Sequence, residues 1–255
     1  MSLSDEQLDR YARQMVLREI GAVGQLKLRQ GHAVLIGAGG IGSPAAIYLT
    51  AAGVGRITLV ENDKVSLPNL QRQILFATTH IDASKVEVVS ARLTALNPDV
   101  NVVARDIRIH ADNAAALIKG ADVVIDGSDN FATRLAVADA AYAARIPLVS
   151  AAIGQFHGQI GTFRGWEPEM PCYRCYVGDA FDADDCDTCA ELGVLGAMTG
   201  WLGSMAALEA IRTLHPFGED QAGKLHLIDG LAPSLRTIRL PKDPGCKTCG
   251  AATAA

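Results

Sequence analysis

The residues best suited to chemistry fall into three groups. The first is thiols: all six cysteines lie in CxxC pairs, Cys172/Cys175 in "CYRC", Cys186/Cys189 in "CDTC" and Cys246/Cys249 in "CKTC". Two distant CxxC pairs read as a structural site in which four thiolates hold zinc. A basic residue lies inside the first and third pairs and glycines flank the third, so Cys172, Cys175, Cys246 and Cys249 are the expected ligands. The middle pair sits among Asp182, Asp184, Asp185 and Asp187, a field that raises thiol pKa values and disfavours thiolate. It makes a poor redox dithiol, and Cys186 reads as an incidental exposed thiol.

The second group is a loop. In "GAGGIG", Gly37, Gly39 and Gly42 occupy the GxGxxG positions, where missing side chains allow a tight turn, close approach to phosphate and close helix packing. Glu61 follows Gly42 by 19 residues, the place from which an acid hydrogen-bonds a ribose hydroxyl. These features point to an adenine nucleotide without saying which one.

The third group decides between hydride and phosphate chemistry. The loop "NDKVSLPNLQRQ" carries Asn69, Arg72 and Gln73, and Lys85 stands in the first turn of a helix expected to be capped by Asp82 or Ser84. A cation there opposes the helix dipole by about 0.3–1 kcal/mol unless an anion binds at the same place. Arg72 and Lys85 with a helix end thus make a polyphosphate clamp. In "DGSDN", Asp129 beside Asn130 suits magnesium, which is commonly held by one or two carboxylates together with phosphate oxygens. Asp126 in the same run is expected to shape a turn.

A scaffold must bring these groups together. The apolar run "AVLI" from Ala33 leads into the glycine loop, and Ser43-Pro44 opens an alanine-rich helix ending near Gly53. Further strands are expected at Arg56–Glu61, around Val103, up to Asp126 and in "IPLVSAAI", separated by helices over Ser84–Leu96, Asp112–Lys119 and Phe131–Ala144. Such alternation predicts an α/β, Rossmann-like, mainly parallel sheet with helices on both faces. The expected organisation is one unit over 1–255: a helical arm (1–30), a nucleotide-binding core (31–150) and a zinc-bearing portion (151–255). In the arm, Ser4 and Gln7 form a capping-box pattern, and Leu8, Tyr11, Ala12, Met15 and Val16 keep helical spacing up to a stop at Gly21. Arg10 and Arg13 project away from that stripe, as solvated charges do.

Bulk composition removes other classes. With 49% hydrophobic and 20% charged residues, the chain has ordinary globular composition. Its 23 basic against 28 acidic side chains give −5, so no basic field recruits nucleic acid or an anionic membrane. The longest uncharged run, Leu192–Leu208, is 17 residues, short of the ~20 that span a bilayer. Its four glycines suggest a buried helix packed closely on another element. No apolar leader stretch follows Met1, which makes cytoplasm the expected compartment.

Taken in order, these stretches resemble the MoeB/ThiF/HesA family of ubiquitin-activating-enzyme-like adenylyltransferases, which act on small sulfur-carrier proteins. The resemblance spans nearly the whole chain. It rests on "RYARQ" at Arg10, "GAGGIGSPAAIYLTAAGVG", "VSLPNLQRQ", "SDN" at Ser128, "PCYRC", "CAELGV" from Cys189 and "PGCKTCG". "HGQIGTF" and the form of "PCYRC" look closer to MoeB than to ThiF. The resemblance implies ATP along Gly39, Gly40 and Gly42 with its ribose on Glu61. Its phosphates would meet Asn69, Leu70, Gln71, Arg72 and Lys85, with magnesium at Asp129 beside Asn130. Further implications are structural zinc on the four cysteines and a homodimer in which Arg13 crosses into the neighbouring subunit. Cys189 matches the cysteine of the family's mobile crossover loop, which some members link covalently to the carrier. Arg13, Arg72, Lys85, Asp129 and Cys189 form the implied catalytic set.

The implied reaction adenylates the C-terminal glycine of a MoaD-like, ubiquitin-like carrier ending in Gly-Gly and releases pyrophosphate; a ThiS-like carrier is the alternative. Sulfur would then come from a separate donor protein. The sequence departs from the family in Glu61, where aspartate is usual, and in Cys186 beside Cys189. The rival from another class is an NAD-dependent oxidoreductase, which shares the glycine loop and Glu61 but has no use for Arg72, Lys85 and Asp129.

Overall fold

Helix α1 (Asp5–Met15) starts on the expected capping box: Gln7 N–H donates to Ser4 Oγ (3.2 Å) and Ser4 N–H donates to Gln7 Oε1 (3.1 Å). The structure, a computed structural model, describes residues 2–178 and 193–250, so Cys186 and Cys189 lie outside the described residues. Helix α1 ends before the expected stop, and a second helix, α2 (Gly21–Gln30), follows it. No apolar stripe announced α2, because the side it buries is Gly24, Gln25 and Leu28.

From there strand and helix alternate as predicted: β1 (His32–Ile36), α3 (Gly42–Ala51), β2 (Arg56–Val60), α4 (Lys85–Leu96), β3 (Asn101–Arg105), α5 (Ala111–Leu117), β4 (Val123–Asp126), α6 (Phe131–Ala144) and β5 (Leu148–Gly154). These five strands are parallel, with Leu35 level with both Leu59 and Ile125. Side chains on β1 alternate between two cores. Ala33 and Leu35 pack towards Leu49 of α3 and Leu93 of α4, whereas Val34 and Ile36 pack towards Ile118 and Val137 on the α5/α6 side. Covering both faces is why the strand reads as an unbroken apolar run.

The remaining third of the chain extends the same sheet. Strands β6 (His157–Phe163), β7 (Lys224–Asp229) and β8 (Ser234–Arg239) continue beyond β5, each antiparallel to the strand before it, so the described strands form one eight-stranded sheet in the order β3-β2-β1-β4-β5-β6-β7-β8. A short helix, α7 (Tyr173–Val177), carries the first cysteine pair, and the glycine-rich run becomes the 19-residue helix α8 (Gly196–Leu214). A Cβ at Gly203 would stand 2.4 Å from Ile41 O and 2.3 Å from Pro44 Cγ. Glycine is therefore what lets α8 lie against the start of α3. Among the described residues, no helix is long and apolar enough to cross a membrane.

From β1 the chain moves outward one way to β2 and β3, and from β4 it moves the other way to β5. Loops leaving the carboxyl ends of β1 and β4 diverge there and open a crevice, the usual ligand position of an open α/β sheet.

Candidate active site

That crevice holds a cavity of ≈ 360 Å³, walled by the glycine loop, the ends of β2 and β4, the start of α4 and one turn of α8. Gly37 has φ +83°, and a Cβ on Gly42 would sit 1.9 Å from Gly37 O. Gly42 thus supports the turn, while Gly39 and Gly40 line the cavity. Helix α3 begins here with no side-chain cap; Ser43 N–H donates to Gly39 O (2.9 Å) and Pro44 has no N–H, so what this helix start offers an anion is chiefly the positive end of its dipole.

Glu61 explains how the longer acid is accommodated. Its Oε2 accepts from Ala38 N–H in the glycine loop (3.1 Å), and its Oε1 accepts from Asn62 N–H (2.8 Å) and Asp63 N–H (2.9 Å). The extra methylene lets one carboxylate clamp two loops together at the cavity wall.

Lys85 is only 4% exposed, yet its Nζ reaches the cavity, where it donates to Asp63 Oδ2 at 3.0 Å. Ser84 occupies the cap position of α4, but its hydroxyl donates instead to Asp106 Oδ2 (3.0 Å), and Asp82 sits outside the helix with φ +69°. The expected side-chain cap is therefore not made, and a second uncapped helix start borders the cavity. Arg72 lines the same wall, one Nη1 bond anchoring it to Pro68 O (3.0 Å). Beside it, Gln73 is 5% exposed, and no described group donates to its Oε1.

Asn69, Leu70 and Gln71 do not line the cavity. Asn69 Oδ1 accepts from Ser66 N–H (3.2 Å), closing a local turn. Gln71 presents its carbonyl so close to Gly196 that a Cβ there would stand 2.2 Å away. These residues seat the loop under α8, with Thr199 Oγ1 donating to Gly196 O at 2.6 Å.

Opposite the cations, Asp126 is fully buried and shapes the expected turn: its Oδ1 accepts from Ser128 N–H (3.0 Å) and Ser128 Oγ (2.7 Å). Asn130 caps α6 by accepting from Thr133 N–H (2.9 Å). Asp129 between them is exposed at the cavity wall, its carboxylate without a hydrogen-bond partner among the described residues. An open carboxylate facing two cations and two helix starts fits a site for a magnesium–polyphosphate complex. The cavity also takes in Asp63, Arg108, Arg134 and Thr199, which sequence reasoning missed. Asp63 had a signal, standing two residues after Glu61 in the same loop; the other three are brought in by tertiary packing.

A family model described as the ThiF family matches residues 11–248. The chain belongs to the ThiF family. It is 43% identical over 253 residues, 98% of this chain and 93% of the relative, to a sulfur carrier protein adenylyltransferase of Thermus thermophilus. Two Escherichia coli K12 proteins are similarly near. The sulfur carrier protein ThiS adenylyltransferase is 40% identical over 99% of each chain. The molybdopterin-synthase adenylyltransferase is 38% identical over 97% of this chain and 98% of its own. The solved structure of E. coli MccB with ATP shares the fold, with a TM-score of 0.82 at 22% identity, over 94% of this chain and 74% of that one.

The ThiF-family chain carries a second centre at the far end of α6. Cys172, Cys175, Cys246 and Cys249 bring their sulfurs within 4.8 Å of one another, with Cys172–Cys246 at 3.6 Å, Cys175–Cys249 at 3.3 Å and Cys172–Cys175 at 3.9 Å. A tetrahedral ion with Zn–S bonds near 2.3 Å needs edges of about 3.8 Å, so the cluster fits a metal. Burial pushes the Cys172 thiol up and Cys249 to about 11; forming four thiolates here needs a cation to compensate their charge.

Arg13 stands apart from the cavity of its own chain. Helix α1 packs where α3 and α4 end: Asn97 Nδ2 donates to Tyr11 Oη (2.8 Å), and Gln14 Nε2 donates to Ala52 O (3.2 Å). Both helices start at the cavity, so those ends lie about 15–18 Å from it at 1.5 Å per residue. Arg13 itself is exposed in the last turn of α1.

Proposed function

We propose that this protein is an ATP-dependent adenylyltransferase acting on the C-terminal glycine of a small ubiquitin-like sulfur-carrier protein. The observation that carries the reading is the meeting of Arg72, Lys85 and Asp129 with the glycine loop in one cavity, although they lie far apart in sequence. A hydride-transfer enzyme would use the loop and Glu61 and leave those three without a task. The names of the relatives in Thermus thermophilus and Escherichia coli agree with this chemistry.

In the proposed reaction the carrier's terminal carboxylate attacks the α-phosphorus of ATP. A carboxylate–phosphorus bond forms, the bond to the β-phosphate bridging oxygen breaks, and pyrophosphate leaves. No side-chain base is required, because the attacking group is already ionised. What the protein supplies is position and charge. Arg72 and Lys85 neutralise the phosphates, Glu61 takes the ribose side, and Asp129 beside Asn130 would hold magnesium, which when bound screens phosphate charge. Arg13, too far from its own cavity, would serve that of a second copy in a homodimer. Cys189 keeps its place in the proposal as the thiol able to link to the carrier. The four-cysteine cluster would hold structural zinc, and sulfur would come from a separate donor protein.

The carrier's tail has a route. A second cavity of ≈ 570 Å³ lies over Gly154, Gly158, Gln159 and Arg236 on the antiparallel strands and shares Ile153 with the first. An extended Gly-Gly tail lying there would point at the phosphates. Identities of 40% and 38% to the ThiS- and molybdopterin-directed relatives leave a MoaD-like or a ThiS-like carrier to experiment. The test is exchange of labelled pyrophosphate into ATP with each carrier: carrier-dependent exchange is expected. No exchange with either, together with tight NADH binding, would overturn the reading in favour of an oxidoreductase.

A further inference from the structure

Arg72, Lys85, Arg108 and Arg134 all line the nucleotide cavity, but Arg134 is built into the protein differently from the others. It stands in the first turn of α6, only 8% exposed, with a fully buried carboxylate beside it: Nη1 lies 4.0 Å from Asp126 Oδ2. The guanidinium joins three segments. Nη1 donates to Ala151 O on β5 at 3.1 Å, and Nη2 donates to Ser128 O in the turn that follows β4. Asp126 grips that turn from the opposite side, Oδ1 accepting from the Ser128 amide and hydroxyl while Oδ2 accepts from Ser150 Oγ at 3.5 Å. Ser128 is therefore held at its N–H, its hydroxyl and its carbonyl. On one side of it Gly127 N–H donates to Ile36 O (3.1 Å), and on the other Asn130 is fixed as the cap of α6. Asp129 lies inside this clamp, and its carboxylate bonds to no described residue. Its place at the cavity wall is set by the peptides around it.

We propose that Arg134 is a positioning residue for magnesium: together with Asp126 it locks the Ser128–Asn130 turn so that the Asp129 carboxylate stands at the cavity, and it is not a third phosphate ligand. The inference rests on the assignment of this cavity to ATP with magnesium. A buried guanidinium and carboxylate whose hydrogen bonds are made to fixed partners hold one arrangement. The planar fork matters, because it spans carbonyls from two elements, whereas a lysine would bring a point charge to one of them. Charge alone would satisfy Asp126; only the fork ties the turn to β5.

The experiment uses the full-length protein with its zinc and measures ATP binding by calorimetry with and without Mg2+, in wild type, Arg134→Lys, Ser128→Ala, Asp129→Ala and the double variant Arg134→Lys/Asp129→Ala. Arg134→Lys keeps a charge opposite Asp126, and Ser128→Ala cuts the other side of the clamp at an exposed turn where folding is not at stake. In each of these two, affinity with Mg2+ is expected to fall about fivefold, the scale of one lost hydrogen bond, while affinity without Mg2+ stays at the wild-type level. In the Asp129→Ala background Arg134→Lys is expected to add nothing, the non-additivity of residues that act through one another. A loss in Arg134→Lys that persists without Mg2+, or in the double variant, makes Arg134 a phosphate ligand and overturns the proposal. Wild-type affinities in Arg134→Lys or in Ser128→Ala overturn it too, as does an equal loss in both conditions with a falling Tm, which is plain destabilisation. A wild-type protein that binds no ATP, or an Asp129→Ala variant that keeps the full gain from Mg2+, overturns the assignment of the cavity and of Asp129 instead.

Discussion

The parallel and antiparallel halves of the sheet are built on different physical terms. Strands β1 and β4 are covered on both faces, and Val34, Leu35, Val124 and Ile125 are all fully buried. At the other edge β8 is exposed along almost its whole length, with Leu235 52% exposed. The first half is held by apolar burial; the second returns its last segment to the core through Cys246 and Cys249, which meet Cys172 and Cys175. Chemistry sits at the end of the self-sufficient half, where loops diverge from a rigid frame. Support sits in the half that needs a staple, so lesions in the two halves separate into different phenotypes.

Asp129→Ala is the sharpest way to test that separation. The carboxylate is exposed and supports no hydrogen bond among the described residues, so its loss leaves folding intact. Carrier-dependent pyrophosphate exchange is expected to fall at least about 100-fold, the scale of one lost electrostatic contact to a transition state. Circular dichroism and Tm check the fold. A retained rate removes Asp129 from the metal site.

Cys175→Ser strikes the other half. It leaves three thiols for the metal, and the expected results are loss of zinc by elemental analysis and a Tm lower by about 5–10 °C. Unchanged zinc content would contradict the four-thiolate centre. Asp129→Ala, by contrast, is expected to leave zinc content untouched, so the two variants read the two halves separately.

The same contrast governs what could be read from sequence. Burial on both faces forces continuous apolar runs such as "AVLI", and the βα rhythm followed from them; α6 occupies Phe131–Ala144 as expected. Strands β6 and β8, "HGQIGTF" and "SLRTIR", carry neither an apolar run nor helical alternation, so the antiparallel extension stayed hidden inside a portion expected only to elaborate the core. In the cavity, Gly39, Gly40, Glu61, Arg72, Lys85, Asp129 and Asn130 were legible because glycine spacing and charge at helix starts have local physical reasons. Arg108, Arg134 and Thr199 arrive from elements whose approach is set by packing, and nothing in the local sequence says so. Asn69 was legible as a polar loop residue, but its side chain closes a turn.

Glu61→Asp tests how the nucleotide half joins its two loops. Shortening the side chain by one methylene prevents it from holding Ala38 N–H and the Asn62–Asp63 amides together. The expected effect is a rise in KM for ATP of about tenfold, the scale of one hydrogen bond to a charged group, with little change in kcat. A lower KM would mean that the longer acid is a compromise at this position.

The smallest expected effect lies on α8, the helix shared by both halves. Glu209 is 7% exposed, and burial raises its carboxyl pKa above the ordinary 4.5 despite Arg212, whose Nε stands 3.3 Å from Oε1. Lys224 also lowers it and Asp220 raises it. A pKa raised in the folded state contributes stability that is complete below the unfolded value and is lost as pH rises through the folded one. Glu209→Gln cannot take up the charge, so it escapes that loss. Relative to wild type, the variant's unfolding free energy is expected to climb between pH 4 and pH 7 in denaturant titrations. A difference that stays flat or falls over that window would mean that the Arg212 pair outweighs burial, and that α8 is held at this point by charge as well as by packing.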